Sequence, residues 1–413
     1  MRPHAFFFLA VLAPLTAARA DAPLTWDACV DQTLKANPAL RAAAETVHSS
    51  EFQAKQTLAP FLPQVSGALT YGRDSTAPTT DGYGATLTAS QNLFNGLADK
   101  GRMDQADAQV RVQQASRAST EAQVAFDLKT SYAGLLYAQH SVSLQQKIVK
   151  RREDNLKLVG LRFEGGRENR GSVLLSQAYL GQARFDALQA KDGILVAQSQ
   201  LAAVLGRGDP ENLSVGEDIP LETPPSSPDY QALSILTPGH LRSAALEDSA
   251  DAAVTVARAG FFPTLNLTAT AGRNGTTFFP QEQRWSVGAS LTFPLFSGGK
   301  DYFGTRSASA AHAAASSQLE VTDRETLTDL RTAYTGYVEA VEKLKVDEAF
   351  QEAAIKRAEI ARQKYNNGLM TFEDWDVIEN DLINRERAVL QSQRARTAAE
   401  AAWRQAQGKG VTP

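Results

Sequence analysis

The chain has 413 residues, 43% of them hydrophobic and 21% charged, so it is neither a disordered chain nor a uniformly apolar one. Its net charge of −4 argues against a nucleic-acid partner, and a single cysteine, Cys29, excludes an internal disulfide and a multi-cysteine metal site.

Residues 1–20 read as a secretory signal peptide. Arg2 and His4 give a charged start, Ala5 to Leu15 an apolar run, and Ala18-Arg19-Ala20 a small-x-small cleavage site. That run is well short of the ~20 residues a spanning helix needs. Cleavage removes Arg2 and Arg19, leaving 40 basic against 46 acidic residues, a net charge of −6. Cys29 follows Trp26-Asp27-Ala28, not the small apolar run that precedes a lipid-modified cysteine, and reads as a buried small hydrophobe. No later stretch has eighteen consecutive apolar residues, so a membrane span would have to be made of strands.

Residues 21–206 form a first structural repeat. Leu24 to Leu58 is helical in composition, with one interruption at Asn37-Pro38, and Pro60-Phe61-Leu62-Pro63 ends it. A β-hairpin is expected over 64–94. In its first strand, Gln64 to Gly72, Val65, Leu69 and Tyr71 share one face, with Gln64, Ser66 and Thr70 on the other. After a polar loop, Tyr83, Ala85, Leu87 and Ala89 alternate with Thr86, Thr88, Ser90 and Asn92. Leu97 to Glu164 is then helical with few breakers. Leu128, Leu135, Val142, Val149, Leu156 and Phe163 fall at every seventh position, which predicts a supercoiled seam. A helix of that length extends about 100 Å at ~1.5 Å per residue. Gly165 to Gly171 is a turn, and a second helix runs from Ser172 to Leu205 before the Gly206 stop.

Residues 207–238 are a proline-rich linker, with Pro210, Pro220, Pro224, Pro225, Pro228 and Pro238. Residues 239–408 then repeat the first half, followed by a tail over 409–413. Gly260-Phe261-Phe262-Pro263 matches Pro60-Phe61-Leu62-Pro63, and Leu295-Phe296-Ser297-Gly298 matches Leu93-Phe94-Asn95-Gly96. Tyr132 and Tyr334, Phe163 and Tyr365, Gly166 and Gly368, and Gly206 and Gly408 each stand 202 residues apart. The heptad recurs as Leu330, Tyr337, Leu344, Ala358 and Tyr365, broken at Gln351. A second hairpin is expected over 264–293. Leu265 and Leu267 lie on one face of its first strand, and Trp285, Val287, Ala289, Leu291 and Phe293 on one face of its second.

Each strand has the length that crosses a bilayer when tilted, and aromatics stand near the strand ends: Phe61, Tyr71, Tyr83, Phe94, Phe261, Phe262, Trp285 and Phe296. Four strands cannot close a barrel, for which about eight are needed, and an open edge cannot sit in lipid. If these strands span a membrane, several chains must pool them, and the sequence alone allows eight, twelve or sixteen strands. The expected lipid face is Val65, Leu69, Tyr71, Leu87, Leu265, Leu267, Trp285, Val287, Leu291 and Phe293, with Leu291 near mid-membrane. Ser286, Ser290 and Thr292 are expected to face the lumen, and Pro294 to Gly299 to form the hinge to the helices. Stacked end to end, two shorter helices, about 35 residues each in the first copy, match one long one, so each repeat can build a pair of equal columns.

The Asn37-Pro38-Ala39-Leu40-Arg41 opening, the Phe-x-Pro and Leu-Phe-x-Gly motifs flanking both hairpins, and Tyr365-x-x-Gly368 resemble the TolC-like outer-membrane efflux proteins. The resemblance covers essentially the whole mature chain. It implies a mainly α fold with membrane β: long antiparallel coiled-coil helices form a periplasmic α-barrel, and four strands per chain contribute to a twelve-stranded outer-membrane β-barrel in a homotrimer. It implies a passive exit duct in the outer membrane of a Gram-negative bacterium. Its implied partners are outer-membrane lipid, a periplasmic adaptor protein, and an inner-membrane pump or the ABC transporter of a type I secretion system. It also implies a gate at the periplasmic tip. Tyr365 matches a tyrosine that holds a closed state, Gly368 the helix turn, and Asp374 an acidic residue ringing the entrance, beside Glu373 and Asp376. Met370 and Val377 depart from the pattern, standing where an arginine and a second aspartate are found. Gly166 lies in the first-repeat turn, where Arg162, Arg167 and Arg170 are candidates for pairing with a neighbouring acidic tip or for adaptor contact.

The competing reading is an exported coiled-coil stalk or adhesin that spans no membrane. His48, His140, His240 and His312 show no ligand spacing, no phosphate-binding glycine loop occurs, and no residues assemble as an enzyme, so no metal or cofactor is expected.

Overall fold

The computed structural model describes residues 23–75, 80–210, 212–216 and 219–411; the signal peptide expected over 1–20 lies outside the described residues. In chain order the elements are α1 (Trp26–Ala36), α2 (Pro38–Gln56), β1 (Gln64–Asp74), β2 (Thr80–Asn95), α3 (Ala98–Glu164), α4 (Arg170–Leu205), α5 (Tyr230–Ser234), α6 (Pro238–Arg258), β3 (Thr264–Gly275), β4 (Glu282–Thr292), α7 (Lys300–Asn366) and α8 (Phe372–Ala406). Among the described residues, no helix is long and apolar enough to cross a membrane.

Both long helices, α3 and α7, contain 67 residues, about 100 Å at ~1.5 Å per residue. Shorter helices stack end to end beside them, and glycine makes the joints possible. Gly206, at φ 71°, ends α4 so close to Ala36 that a Cβ would lie 2.4 Å from its carbonyl oxygen. Gly408, at φ 73°, ends α8 against the ring of Pro238. Asn37 caps α2 by accepting from Ala39 N and Leu40 N, and its Nδ2 donates to Val204 O of α4 at 2.8 Å. The first short helix is therefore not one rod of about 35 residues. Pro38 cannot donate to α1, so the chain splits there, and only α2 continues the α4 column.

At these joints the linker straps the two repeats together. The Tyr132 hydroxyl donates to Leu24 O at 3.1 Å and Gly216 O at 3.0 Å, and Tyr334 donates to Pro225 O at 2.5 Å. Lys129 of α3 and Glu400 of α8 form a buried ion pair at 2.6 Å. Lys129 also donates to Pro220 O, and Glu400 accepts from Glu222 N. Cys29 is fully buried in the adjoining core with Leu128, Leu135, Leu201 and Leu205, as a small hydrophobe would be.

The heptad reading holds for α7, where Leu330, Tyr337, Leu344, Ala358 and Tyr365 are all buried. In α3 it holds only for Leu128 and Leu135. Val142, Val149 and Leu156 are half-buried, and Phe163 is exposed. The line buried along this helix is Ser131, Ala138, Gln145, Arg152 and Val159, also spaced by seven but offset by three. A hydrophobic count passes over such a line because three of its members are polar. A helix also drifts about 20° per heptad, which carries the apolar line off the contact.

The strands form one antiparallel sheet in the order β1-β2-β3-β4. Its outer strands, β1 and β4, each present an edge unpaired within the chain. β2 carries one extra residue, Leu93, between the pairs Asn92–Asn266 and Phe94–Leu265.

Candidate functional site

Two constellations sit at opposite ends of the helices: the helix-turn tip and the sheet. At the tip, α3 and α7 end alike. Gly166 (φ 66°) and Gly368 (φ 74°) take the left-handed conformation, and the next residues bond back, Arg167 N to Arg162 O and Leu369 N to Lys364 O, both at 2.8 Å. Asn169 then caps α4 through Ser172 N, and Thr371 caps α8 through Asp374 N. The cap at Asn169 starts α4 at Arg170, two residues before the expected Ser172.

Tyr365 is the centre of the tip. It is fully buried, stacks on Trp375 with ring centroids 4.4 Å apart, and meets the edge of Phe372. Its hydroxyl donates to Glu168 Oε2 at 2.9 Å. Glu168 Oε1 accepts from Asn169 N, Asn169 Nδ2 and the Ser172 hydroxyl, so one carboxylate joins the first-repeat turn to α7. Burial, and then the Glu168 carboxylate, push the Tyr365 phenol above its ordinary pKa, while Arg162 opposes them.

Arg162 has its partner inside the chain. Its guanidinium lies 4.5 Å from the Tyr365 ring centroid and donates to Tyr365 O at 2.6 Å. It is thus engaged within the chain. Arg167 and Arg170 are exposed and form no ion pair among the described residues. The acidic cluster has three different fates. Glu373 is exposed. Asp374 takes the Thr371 hydroxyl at 2.9 Å as part of the α8 cap. Asp376 is half-buried and accepts from Asn380, with Arg152 3.6 Å away. Asp376 therefore faces α3 within the chain. Met370 packs half-buried on the Tyr365 cluster, whereas Val377 is exposed.

Sequence reasoning missed the polar layer above the tip. Arg151 makes a two-pronged pair with Glu386 at 2.9 and 3.0 Å, and Asn155 donates to Glu379 at 3.3 Å. Arg387 of α8 reaches Asp186 of α4 at 2.6 Å and Gln145 of α3 at 3.1 Å. Arg152 donates to Asn380 and lies over the Tyr179 ring; burial lowers its pKa despite the nearby acids. The only sequence signal for this layer was the recurrence of polar residues at spacing seven.

In the sheet, register puts the expected lipid-facing residues on one side. Leu69 stands opposite Ala85, Tyr71 opposite Tyr83, Leu87 opposite Ala271, Val287 opposite Ala269, and Leu265 opposite both Phe94 and Leu291. Val65, Leu69, Tyr71, Leu87, Leu267, Trp285, Val287, Leu291 and Phe293 are exposed, and Leu265 is half-buried. Behind them, Thr270 and Ser286 share a hydroxyl hydrogen bond on the polar face. One placement differs from expectation. Leu291 pairs with the second residue of β3, so it lies at the helix-proximal end, and Val287 marks the middle.

Comparison with known proteins decides the family. The sequence model of the outer membrane efflux proteins matches residues 29–207 and 240–409. The chain belongs to the outer membrane efflux protein family. It is 25% identical over 386 residues to the alkaline protease secretion protein AprF of Pseudomonas aeruginosa, covering 86% of this chain and 77% of AprF. It is 21% identical over 374 residues to the outer membrane protein TolC of Escherichia coli, covering 83% and 74%. The Campylobacter jejuni CmeC outer membrane channel superposes with a TM-score of 0.84 at 16% identity, covering 100% of this chain and 95% of CmeC. This efflux protein is an outer-membrane channel, an exit duct with its sheet in the outer membrane and its helices in the periplasm.

Proposed function

We propose that three copies of this efflux protein pool their sheets into a twelve-stranded barrel and their helices into one continuous periplasmic tube. The observation that carries this reading is the sheet itself: four strands, one apolar exposed face, and two edges without partners. In lipid each unpaired edge group costs several kcal/mol, so β4 of one copy must pair with β1 of the next. The polar face then lines a water-filled lumen.

Substrates pass through this duct without chemistry in its wall. Energy comes from an inner-membrane pump or from the ABC transporter of a type I secretion system, joined to the duct by a periplasmic adaptor. The exposed Arg167 and Arg170 at the tip suit contact with such an adaptor, and the Tyr365–Glu168–Arg162 cluster holds the tip shut. The test is a cysteine pair with one member in β1 and one in β4. Oxidised membranes should yield covalent trimers that resist heating in detergent. Protein that leaves the membrane in high salt, or forms only intrachain crosslinks, would refute the barrel.

A further inference from the structure

We infer that the outer rim of the lipid-facing surface is a binding site for a multiply phosphorylated, multiply acylated glycolipid of the outer leaflet. This inference rests on the membrane reading of the sheet and names the lipid that the face selects.

The β3–β4 turn folds back over that face. Phe278 packs on Tyr83 with ring centroids 5.7 Å apart, Tyr83 meets Tyr71 at 5.1 Å, and Phe279 lies against Phe278 at 5.0 Å. Phe278 and Phe279 are still 71% and 75% exposed. Such exposure in water is unfavourable for two adjacent rings and favourable at a headgroup boundary. Together with Leu69, Ala85 and Pro280 they wall a groove of about 640 Å³, apolar enough for acyl chain and open towards lipid.

Two arginines flank the groove on the same face. Arg273 stands opposite Ala85, in line with Leu69, and Arg73 lies one row beyond Tyr71. At ~4.8 Å between strands and ~3.4 Å per residue, their Cα atoms are roughly 17 Å apart. Arg273 is exposed and has no ion pair among the described residues. Arg73 comes no closer to Asp81 than 3.7 Å, at Nε, and the same Asp81 oxygen already accepts from Tyr71 at 3.2 Å. Arg284 and Glu282, which pair with each other, lie on the opposite face. One partly engaged carboxylate thus faces two guanidiniums at the level of the lipid headgroups. Guanidinium is the side chain best matched to phosphate oxygens. Separated cations beside an acyl-sized groove fit a headgroup with more than one phosphate.

The experiment titrates the purified protein, in neutral detergent, with lipid A and with its dephosphorylated form, reading bound lipid by native mass spectrometry. Two guanidiniums near a membrane surface correspond to a preference of about thirtyfold for the phosphorylated form. Arg73→Gln with Arg273→Gln should abolish that preference, and Arg73→Lys with Arg273→Lys should keep part of it. Phe278→Ala with Phe279→Ala should weaken both lipids alike. Equal binding of both forms by the unaltered protein, an undiminished preference in the double Gln variant, or equal competition by phosphatidylglycerol would overturn the site. Conductance of the same preparation in planar bilayers separates the two readings. Protein that conducts but ignores the phosphates sinks the glycolipid site alone, whereas protein that never inserts sinks both.

Discussion

The hydroxyl of Tyr365 meets Glu168 Oε2 at 2.9 Å, joining the last turn of α7 to the loop that starts α4. Tyr365→Phe keeps the stack on Trp375 and deletes only this bond. A hydrogen bond to a charged acceptor contributes about 1.5 kcal/mol at the low end, roughly tenfold in an equilibrium. Open probability in planar bilayers should rise by about that factor; no rise would show that the bond is not a latch. The raised phenol pKa sets the pH response. Neutral Tyr365 contributes its full stabilisation below the ordinary value of 10.0 and loses it as pH climbs through the raised one. The tip should therefore stay latched through neutral pH and loosen only in strong alkali.

Glu373 and Asp374 are exposed acids at the start of α8, whereas Asp376 faces α3. Glu373→Gln with Asp374→Asn should lower cation-over-anion selectivity while leaving the α8 cap in place, because Asn also accepts at that position. Asp376→Asn should leave selectivity nearly unchanged but lower the melting temperature, since Arg152 loses its countercharge. If selectivity follows Asp376 instead, the division of the acidic cluster is wrong.

Lys129 and Glu400 join the repeats through a pair that is almost wholly buried. Removing one partner leaves a buried charge, which costs about 3–5 kcal/mol. Lys129→Met and Glu400→Leu should each be strongly destabilising, and the double variant should lose much less than their sum. Additive losses in denaturant titrations would show that the charges do not depend on each other.

Val287, opposite Ala269 in mid-strand, is the position where a charge should be worst tolerated. Val287→Arg should cost about 2–4 kcal/mol of barrel stability, while Leu291→Arg, near the periplasmic interface, should cost about 0–1. Ser286→Arg points to the lumen and should also be mild. Equal damage at Val287 and Ser286 would contradict the facing of the sheet.

Leu97 adopts φ 71° where the second repeat has Gly299 at φ 86°. The left-handed conformation costs a non-glycine residue about 1–2 kcal/mol, partly offset by the entropy that glycine loses on folding. Leu97→Gly should stabilise the chain by about 0.5–1 kcal/mol, seen as a raised melting temperature. A lowered one would mean that packing by the Leu97 side chain outweighs the strain.

The strands, the long helices and the turns were legible because their signals are local. Alternation marked the apolar face, and glycine marked positions such as Gly166 and Gly368 that require positive φ. The strand ends were not: β3 runs to Gly275 and β4 starts at Glu282, where charged residues outside the hydrocarbon need only ladder bonds. Tyr365 was found through resemblance, but its partner Glu168 lies 197 residues away and carries no pattern of its own. Arg162 looked free in the sequence because the acceptor it uses is a backbone carbonyl, present at every residue.

The buried polar line of α3 has a mechanical consequence. Within each helix pair the contacts are mostly dry: Tyr365, Phe372 and Trp375 join α7 to α8, and Leu128, Leu201 and Leu205 join α3 to α4. Between the pairs, α3 meets α8 through a mixed seam: Ile148 packs with Ile383 and Val159 with Trp375, and between these two apolar contacts lie Arg151–Glu386, Arg152–Asn380 and Asn155–Glu379. Water can replace such bonds one at a time, but it cannot replace an apolar contact without loss. The polar stretch between Ile148 and Val159 should therefore be the part of this boundary that loosens first, with the straps at Lys129 and Tyr132 as its fixed end.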